Sequence, residues 1–153
     1  MEINVSIDND IQEHPDSRWL RGVARRVLVE ENAGPGAEVG LLITGQDRIH
    51  ELNRIYRGKD NPTDVLSFGM QGDGAFPFVE PPDEALHLGE VIISYPQAVI
   101  QAQEGGHPVR KEVAILIIHG VLHLLGYDHE KAGERRKMQA REKAILGQID
   151  TGD

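Results

Sequence analysis

The most apolar stretch of this chain, residues 113–125, limits the possible folds more than any other feature. Its apolar residues fall on every side of a helix, which is typical of a helix buried in a protein core. Gly126 follows directly and predicts the end of the helix, since glycine readily adopts the left-handed conformation found at many helix ends. We therefore expect a central helix with the other elements packed around it.

Two histidines interrupt this apolar helix. His119 and His123 are four residues apart, so their rings project from one face about one turn from each other. Burial removes the hydration of an imidazole, and hydrogen bonds or a metal ion must compensate for that loss. The chain contains no cysteine, so any transition metal must be held by histidine, aspartate or glutamate. The pair is therefore a candidate metal site.

A third histidine completes the pattern. His129 follows the turn at Gly126, and the three histidines have the spacing of the metzincin zinc signature. Gly120 stands where that signature has a glutamate. Three nitrogens with an open fourth position are the arrangement of a catalytic zinc site. The segment predicts a metzincin-like zinc helix that binds one Zn2+ per chain through His119, His123 and His129.

The patterns around this helix predict one α+β domain, residues 1–153. Apolar alternation or continuity predicts four strands, near residues 3–7, 39–43, 64–68 and 87–94. Helical spacing predicts about five helices, over residues 15–32, 44–57, 94–104, 113–125 and 133–146. Strands alternate with helices first and then give way to helices, which favours a mixed four-stranded sheet flanked by helices.

Some local features can be predicted as well. Thr44, with Asp47 three residues later, resembles a capping box and predicts the start of the second helix. Gly58 is placed to end that helix. Residues 71–84 combine prolines, glycines and acidic residues, which favours a long exposed loop that could act as a lid.

Charge and hydropathy exclude several classes of protein. No apolar run approaches the roughly 18 to 20 residues that a membrane helix needs, and the N-terminus lacks the regions of a signal peptide, so we expect a cytoplasmic protein with no membrane partner. A net charge of −9 argues against binding nucleic acid through bulk charge. RNA would need a local basic face. Three arginines of the first helix form one line, which is either a solvated face or a phosphate-binding stripe: Arg18, Arg21 and Arg25.

Three blocks of sequence resemble a known family. Residues 52–68, which read LNRIYRGKDNPTDVLSF, the strand LGEVIIS at 88–94 and the histidine segment at 119–129 are similar to the YbeY family of bacterial zinc-dependent endoribonucleases. The resemblance extends from about residue 39 to the end of the chain. Glu90 stands where the family commonly has aspartate, and Gly69 stands where a proline is common.

The resemblance implies a single-strand-specific ribonuclease of ribosomal RNA maturation and ribosome quality control. It implies His119, His123 and His129 as zinc ligands, and Arg57 as the arginine beside the metal. Its partners would be single-stranded ribosomal RNA, the small ribosomal subunit and assembly proteins. Lys59 and Glu90 are further candidates for contacting substrate or supporting the metal ligands.

Without the family, the residues near the end of the second helix allow more than one interpretation. Arg57 could stabilise the negative end of the helix, or its guanidinium could hold a phosphate through two parallel hydrogen bonds. Lys59 could serve the same cleft or be solvated. Asp64 could cap, pair with Arg57 or orient a histidine, and the sequence does not choose among these roles.

Three functions fit the zinc signature. The first is an endoribonuclease in which zinc-activated hydroxide attacks the phosphate. The second is a zinc metalloprotease, although Gly120 removes the glutamate that would deliver a proton to the leaving amine. The third is a nonenzymatic ribosome-assembly factor with a structural zinc. Of these, the sequence favours the endoribonuclease.

Overall fold

A four-stranded sheet and five helices make up the described part of the chain. The computed structural model describes residues 1–69, 86–127 and 130–152. In chain order the elements are β1 (Glu2–Ile7), α1 (Ser17–Glu30), β2 (Ala37–Thr44), α2 (Gln46–Arg57), β3 (Val65–Gly69), β4 (Leu86–Ser94), α3 (Tyr95–Gly105), α4 (Val109–Leu124) and α5 (Ala132–Leu146). The loop predicted at residues 71–84 and the candidate ligand His129 lie outside the described residues.

The sheet is mixed, as predicted. Its strand order is β1-β2-β4-β3, with β1, β2 and β4 parallel and β3 antiparallel to β4. The central position of β4 explains its nearly continuous apolar run, because both faces of a central strand are covered. Val91 and Ile93 are fully buried on one face, and Ile92 is buried on the other. The expected α+β fold is confirmed.

Helix α4 lies in the core, against β3, β4 and the helices α1, α3 and α5. It begins at Val109, about one turn before the predicted start at residue 113. The first turn was missed because it is polar: the buried carboxylate of Glu112 accepts hydrogen bonds from His107 and from Gln101, each at 2.8 Å. No helix among the described residues has the length and hydropathy needed to cross a bilayer.

Helix α2 covers the opposite face of the sheet. It packs a small second core, formed by Ile49, Leu66, Phe68 and Ile92, against β3 and β4. The helix ends as predicted, with Gly58 in the left-handed region at φ 69°. Its predicted start is wrong. Thr44 belongs to β2 and donates its hydroxyl to Asp8, and Gly45 takes the N-cap position without a side-chain hydrogen bond.

Candidate functional site

A pocket of about 440 Å³ opens between the end of α2, the edge strand β3 and the middle of α4. Predicted site residues from two separate parts of the sequence line it: Arg57, Lys59, Asp64, His119 and His123. Its other lining residues are Asn53, Asn61, Pro62, Thr63, Val65, Leu66 and Ser67. The fold therefore brings the histidine pair and the predicted basic residues to a single cavity.

The two histidines project side by side from α4 into this pocket. Their ring centroids are 6.2 Å apart and the ring planes are inclined by 21°. This is the arrangement that four-residue spacing on a helix predicts. Both rings are therefore presented to the same volume of the pocket.

Each ring has its Nδ1 atom directed toward an oxygen of the protein. His123 donates Nδ1–H to the backbone carbonyl of Tyr127 over 2.8 Å, which leaves the lone pair of the neutral ring on Nε2. The Nδ1 atom of His119 lies 3.6 Å from a carboxylate oxygen of Glu142 on α5. Metal-binding histidines are commonly oriented in this way, because an acceptor at one nitrogen fixes the tautomer and raises the basicity of the other.

The donor chemistry of the pair fits zinc. Two neutral imidazoles on one helix face are ligands that zinc prefers. Within the described ranges, no group of three or more histidine or acidic side chains stands close enough to hold a metal ion. The third nitrogen expected from the sequence belongs to His129, outside those ranges.

Arg57 forms the opposite wall of the pocket. Because α2 ends at Gly58, the side chain of Arg57 extends from the last helical residue toward β3. One Nη2–H donates to the backbone carbonyl of Ser67, and the guanidinium lies 5.5 Å from the centroid of the Phe68 ring. The guanidinium is thus held in place at the pocket, while the residue as a whole is exposed to solvent.

The loop after α2 is anchored by a buried asparagine. Asn53 is 3% exposed and donates Nδ2–H to both the backbone and side-chain oxygens of Asn61, at 2.9 and 3.2 Å. His50 adds a contact of 2.8 Å to Asp60. These contacts fix the segment that brings Lys59 to the pocket. Asn53 is not among the predicted site residues, although a polar residue on the buried face of a helix was a usable signal.

Asp64 contacts α3 instead of the arginine or the histidines. Its carboxylate accepts hydrogen bonds from Gln101, at 3.4 Å, and from Thr63, at 3.3 Å. Its backbone carbonyl accepts from the amide of Ser94 over 2.9 Å. Among the roles that the sequence left open, the structure favours none, since Asp64 here connects the start of β3 to α3.

Gly120 lies where the zinc-protease signature has its glutamate, and it is packed against the sheet. A Cβ atom at this position would lie 2.6 Å from Cγ1 of Val91 and 3.3 Å from Oγ of Ser67. The Ser67 hydroxyl donates to the carbonyl of Gly120 over 3.2 Å. A side chain fits there only if Val91 or the helix moves.

Glu90 does not line this pocket. Neighbouring residues of a strand face opposite sides, so Glu90 points away from the face on which Val91 meets α4. Its carboxylate lies over Gly40, beside an ion pair between His87 and Glu38. Glu38, His87 and Glu90 form what we call the acidic cluster, around a cavity of about 90 Å³. Partial burial of its carboxylate raises the pKa of Glu90 above its ordinary value, although the residue as a whole is exposed.

The arginine stripe of α1 is also remote from the pocket. Arg21 donates Nε–H to the backbone carbonyl of Ile3 in β1, at 3.2 Å. Strand β1 is the edge of the sheet opposite to β3, where the pocket lies. This placement favours a structural role for Arg21.

Fold and pocket together define an α+β protein with a pair of histidines and a guanidinium facing one cavity. The sequence profile of the family Endoribonuclease YbeY matches residues 2–150. The chain therefore belongs to the endoribonuclease YbeY family, as the resemblance of its motifs predicted.

Individual relatives agree with this assignment. Endoribonuclease YbeY from Dehalococcoides mccartyi is 46% identical over 155 residues, covering 97% of each chain. The protein of the same name from Roseiflexus castenholzii is 48% identical over 130 residues, covering 84% of this chain and 80% of the relative. The solution structure of TM1509 from Thermotoga maritima is similar in fold, with a TM-score of 0.58, 26% identity and coverage of 95% of this chain and 90% of that one.

Proposed function

We propose that the pocket between α2, β3 and α4 is the active site of a single-strand-specific endoribonuclease. The observation that carries this proposal is the joint presence of a histidine pair and a fixed guanidinium in one cavity. Family membership supports RNA as the substrate, since the relatives carry the name endoribonuclease. The reaction is hydrolysis of a phosphodiester bond.

His119 and His123, together with His129, are the proposed ligands of one Zn2+ per chain. A bound zinc ion would act as a Lewis acid on a phosphoryl oxygen and lower the pKa of a coordinated water. The hydrogen bond from His123 to Tyr127 supports this assignment, because it directs the proton to Nδ1 and the lone pair to Nε2.

Arg57 is the proposed phosphate-binding residue. A planar guanidinium can hold two phosphate oxygens and stabilise the negative charge that develops in the transition state. Its hydrogen bond to Ser67 orients the group before substrate arrives, so little reorganisation is needed. Lys59 lines the same cavity and adds a second positive charge for the RNA backbone.

The nucleophile in this proposal is water, not the ribose 2′-hydroxyl. Both histidines are assigned to the metal and have Nδ1 directed at protein oxygens, so they do not form the acid and base couple that a 2′-hydroxyl mechanism uses. Products should then carry a 5′-phosphate and a 3′-hydroxyl. Mass spectrometry that finds a 2′,3′-cyclic phosphate would rule out this part of the proposal.

The packing of Gly120 argues against a zinc protease. A glutamate at that position would collide with Val91, and a protease needs that carboxylate to protonate the leaving amine. Hydrolysis of a phosphodiester releases an alcohol, which depends less on such a proton. The site is therefore better suited to a nuclease.

We extend the proposal to the cellular role through the resemblance to the family. The substrate is ribosomal RNA, and the partners are the small ribosomal subunit and assembly proteins during RNA maturation and quality control in the cytoplasm. Residues 1–153 act as a single domain. A nonenzymatic assembly factor with a structural zinc would bind the same partners without cutting RNA.

A matched pair of arginine variants tests the proposal. Arg57→Ala should lower cleavage of single-stranded RNA by about 10²- to 10³-fold, the usual effect of removing one transition-state donor, while zinc content stays unchanged. Arg54→Ala removes an equal charge from the same helical turn, where Arg54 pairs with Glu51 outside the pocket, and should cleave normally.

The same assay separates the alternatives. Chelation should abolish cleavage and added zinc should restore it. Absence of RNA cleavage by the zinc-loaded protein would leave the assembly factor as the better explanation, and equal losses in the two arginine variants would reject the role of Arg57.

A further inference from the structure

Helix α5 lies outside the pocket and is connected by side-chain contacts to two of the candidate ligands, His119 and His123. Its consecutive residues Arg141 and Glu142 point in directions about 100° apart, as neighbours on a helix do. Arg141 reaches the end of α1, and Glu142 reaches α4. The contacts of Arg141 lead to His123, and the contact of Glu142 leads to His119.

The first connection runs from Arg141 through a buried carboxylate. Arg141 donates Nε–H to Glu31 over 2.7 Å, and one Nη2–H lies 3.5 Å from the carbonyl of Glu30. The side chain of Glu31 is only 9% exposed. Its other oxygen accepts the hydroxyl proton of Tyr127. The hydrogen bond to Glu31 raises the pKa of Tyr127, and the same carboxylate raises the pKa of Arg141.

Tyr127 extends this chain of hydrogen bonds to the pocket through its backbone carbonyl. Its ring is fixed at the hydroxyl end by Glu31, and its carbonyl oxygen accepts the Nδ1–H of His123 over 2.8 Å. Tyr127 comes one residue after Gly126, which has φ of 104° and reverses the chain at the end of α4. The amide of Tyr127 also donates to the carbonyl of Leu122 over 3.2 Å, so this backbone bond and the anchored side chain together hold the carbonyl in place.

The second connection is shorter. A carboxylate oxygen of Glu142 lies 3.6 Å from Nδ1 of His119, and both side chains are partly exposed. The Nδ1 atoms of the two histidines thus face different groups, a backbone carbonyl for His123 and a carboxylate for His119, and contacts connect both groups to α5.

We propose that Arg141, Glu31 and Tyr127 are positioning residues for His123, and that Glu142 is the positioning residue for His119. Helix α5 thereby sets the metal affinity of a site to which it contributes no ligand. This inference rests on the proposed metal site and adds the residues that orient it.

The geometry separates this role from ordinary stabilisation. Exposed ion pairs contribute about 0 to 1 kcal/mol to folding and have no reason to alter metal binding. Groups that orient a metal-bound histidine typically change metal affinity about 10- to 100-fold. Metal affinity is therefore a measurement that a purely structural role would not move.

The test is competition for zinc between the full-length protein and a chromophoric chelator. Tyr127→Phe removes only the hydroxyl and should weaken zinc binding about tenfold, and Glu142→Gln should do the same. The control is Arg48→Gln, which breaks an ion pair of 2.7 Å with Asp8 far from the pocket and should leave zinc affinity unchanged. Thermal unfolding of the metal-free proteins accompanies each measurement.

Double variants sharpen the test. Tyr127→Phe combined with Glu31→Gln should weaken zinc binding no more than Glu31→Gln alone, because both act on the same histidine. Tyr127→Phe combined with Glu142→Gln should weaken it by the product of the two single effects, about 100-fold, because these residues act on different histidines.

Several results would overturn the inference. Wild-type zinc affinity in Tyr127→Phe and Glu142→Gln would do so, and so would an equal loss in Arg48→Gln. If the wild-type protein itself binds no zinc, the proposed function fails as well. If it binds zinc and cleaves RNA while the variants match it, only the positioning role fails.

Discussion

Two regions on opposite faces of β4 both contain histidine, and they differ in what surrounds it. On one face, Val91 packs beneath Gly120 and α4 presents His119 and His123 to a pocket that also contains Arg57. On the other face, Glu90 lies in the acidic cluster, where His87 pairs with a carboxylate. The pocket adds a second histidine and a guanidinium, whereas His87 lies beside the carboxylates of the acidic cluster, so we expect metal binding in the first region and not in the second.

The two regions also differ in charge: the pocket contains basic side chains and the acidic cluster contains carboxylates. The protein has a net charge of −9, yet the pocket is lined by Arg57 and Lys59, with Asp64 engaged by α3. The acidic cluster concentrates carboxylates at the neighbouring strand positions. An acidic protein can thus bind a polyanion through one local surface while the rest of it repels nonspecific contacts.

The largest expected effect comes from replacing one histidine in each region by alanine. His123→Ala should lower RNA cleavage roughly a thousandfold, because metal chemistry contributes several kcal/mol to the barrier. His87→Ala, which removes a histidine of the acidic cluster, should cleave within about twofold of wild type. Single-turnover rates measure both, and equal losses would erase the distinction between the regions.

Packing at Gly120 should give the next largest effect. Gly120→Ala should lower the free energy of unfolding by about 1 to 3 kcal/mol, since the new methyl group overlaps Val91. Gly22→Ala is the matched control. Gly22 also lies within a helix, has nothing within 4 Å of its Cβ position, and should gain about 0.5 to 1 kcal/mol. Urea denaturation measures both, and a stabilised Gly120→Ala would refute the close contact.

A smaller effect is expected on the salt dependence of RNA binding, and only from residues of the pocket. Two to four phosphate contacts predict a log-log slope between about −1.4 and −2.8 for single strands. Lys59→Gln should reduce the steepness of that slope by about 0.7. Lys137→Gln, an exposed change on α5 outside the pocket, should leave it unchanged. Binding isotherms at several salt concentrations provide the slopes, and a salt-independent affinity would exclude a phosphate-binding pocket.

The smallest effect concerns the acidic cluster. Burial raises the pKa of Glu90, so ionisation of this carboxyl disfavours the folded state. The stability that the protonated carboxyl contributes to the folded state is fully present below the ordinary pKa of 4.5 and is lost as pH rises through the folded pKa. Glu90→Gln should therefore be more stable than wild type at pH 7, by less than about 1 kcal/mol because the group remains partly hydrated.

The gain in Glu90→Gln should vanish below pH 4.5, and RNA cleavage should be unaffected. Thermal unfolding from pH 4 to 8 tests the first expectation. A large loss of cleavage would instead give Glu90 a role in the reaction despite its position on the other face of the sheet.

Much of the fold could be predicted because its signals are local. Alternation marked β1, continuous apolar residues marked β4, and Gly58 marked the end of α2. The start of α2 was wrong because Thr44 bonds to Asp8, a partner 36 residues away that no local pattern reveals. The first turn of α4 was missed because it is polar, and its buried Glu112 is satisfied by His107 and Gln101, which precede the helix.

The chemistry of the candidate site could be predicted from the sequence, but the residues that contact and hold its side chains could not. The histidine spacing and Arg57 are local features of the sequence, and the structure brings them to one pocket. Glu142 and Ser67 contact pocket residues from separate elements, so no spacing could identify them. Tyr127 contacts His123 from only four residues away, but through a backbone carbonyl that no residue type reveals. Glu90 was a candidate because it belongs to a strand that resembles the family, but strand alternation turns it to the other face.

The metal content of the purified protein tests the central claim most directly. Elemental analysis should find about one zinc per chain in wild type, since the three histidines form a single site. His119→Ala, His123→Ala and His129→Ala should each lose most of the metal, while His87→Ala keeps it. Full zinc retention after loss of any one of the three proposed ligands would contradict the account.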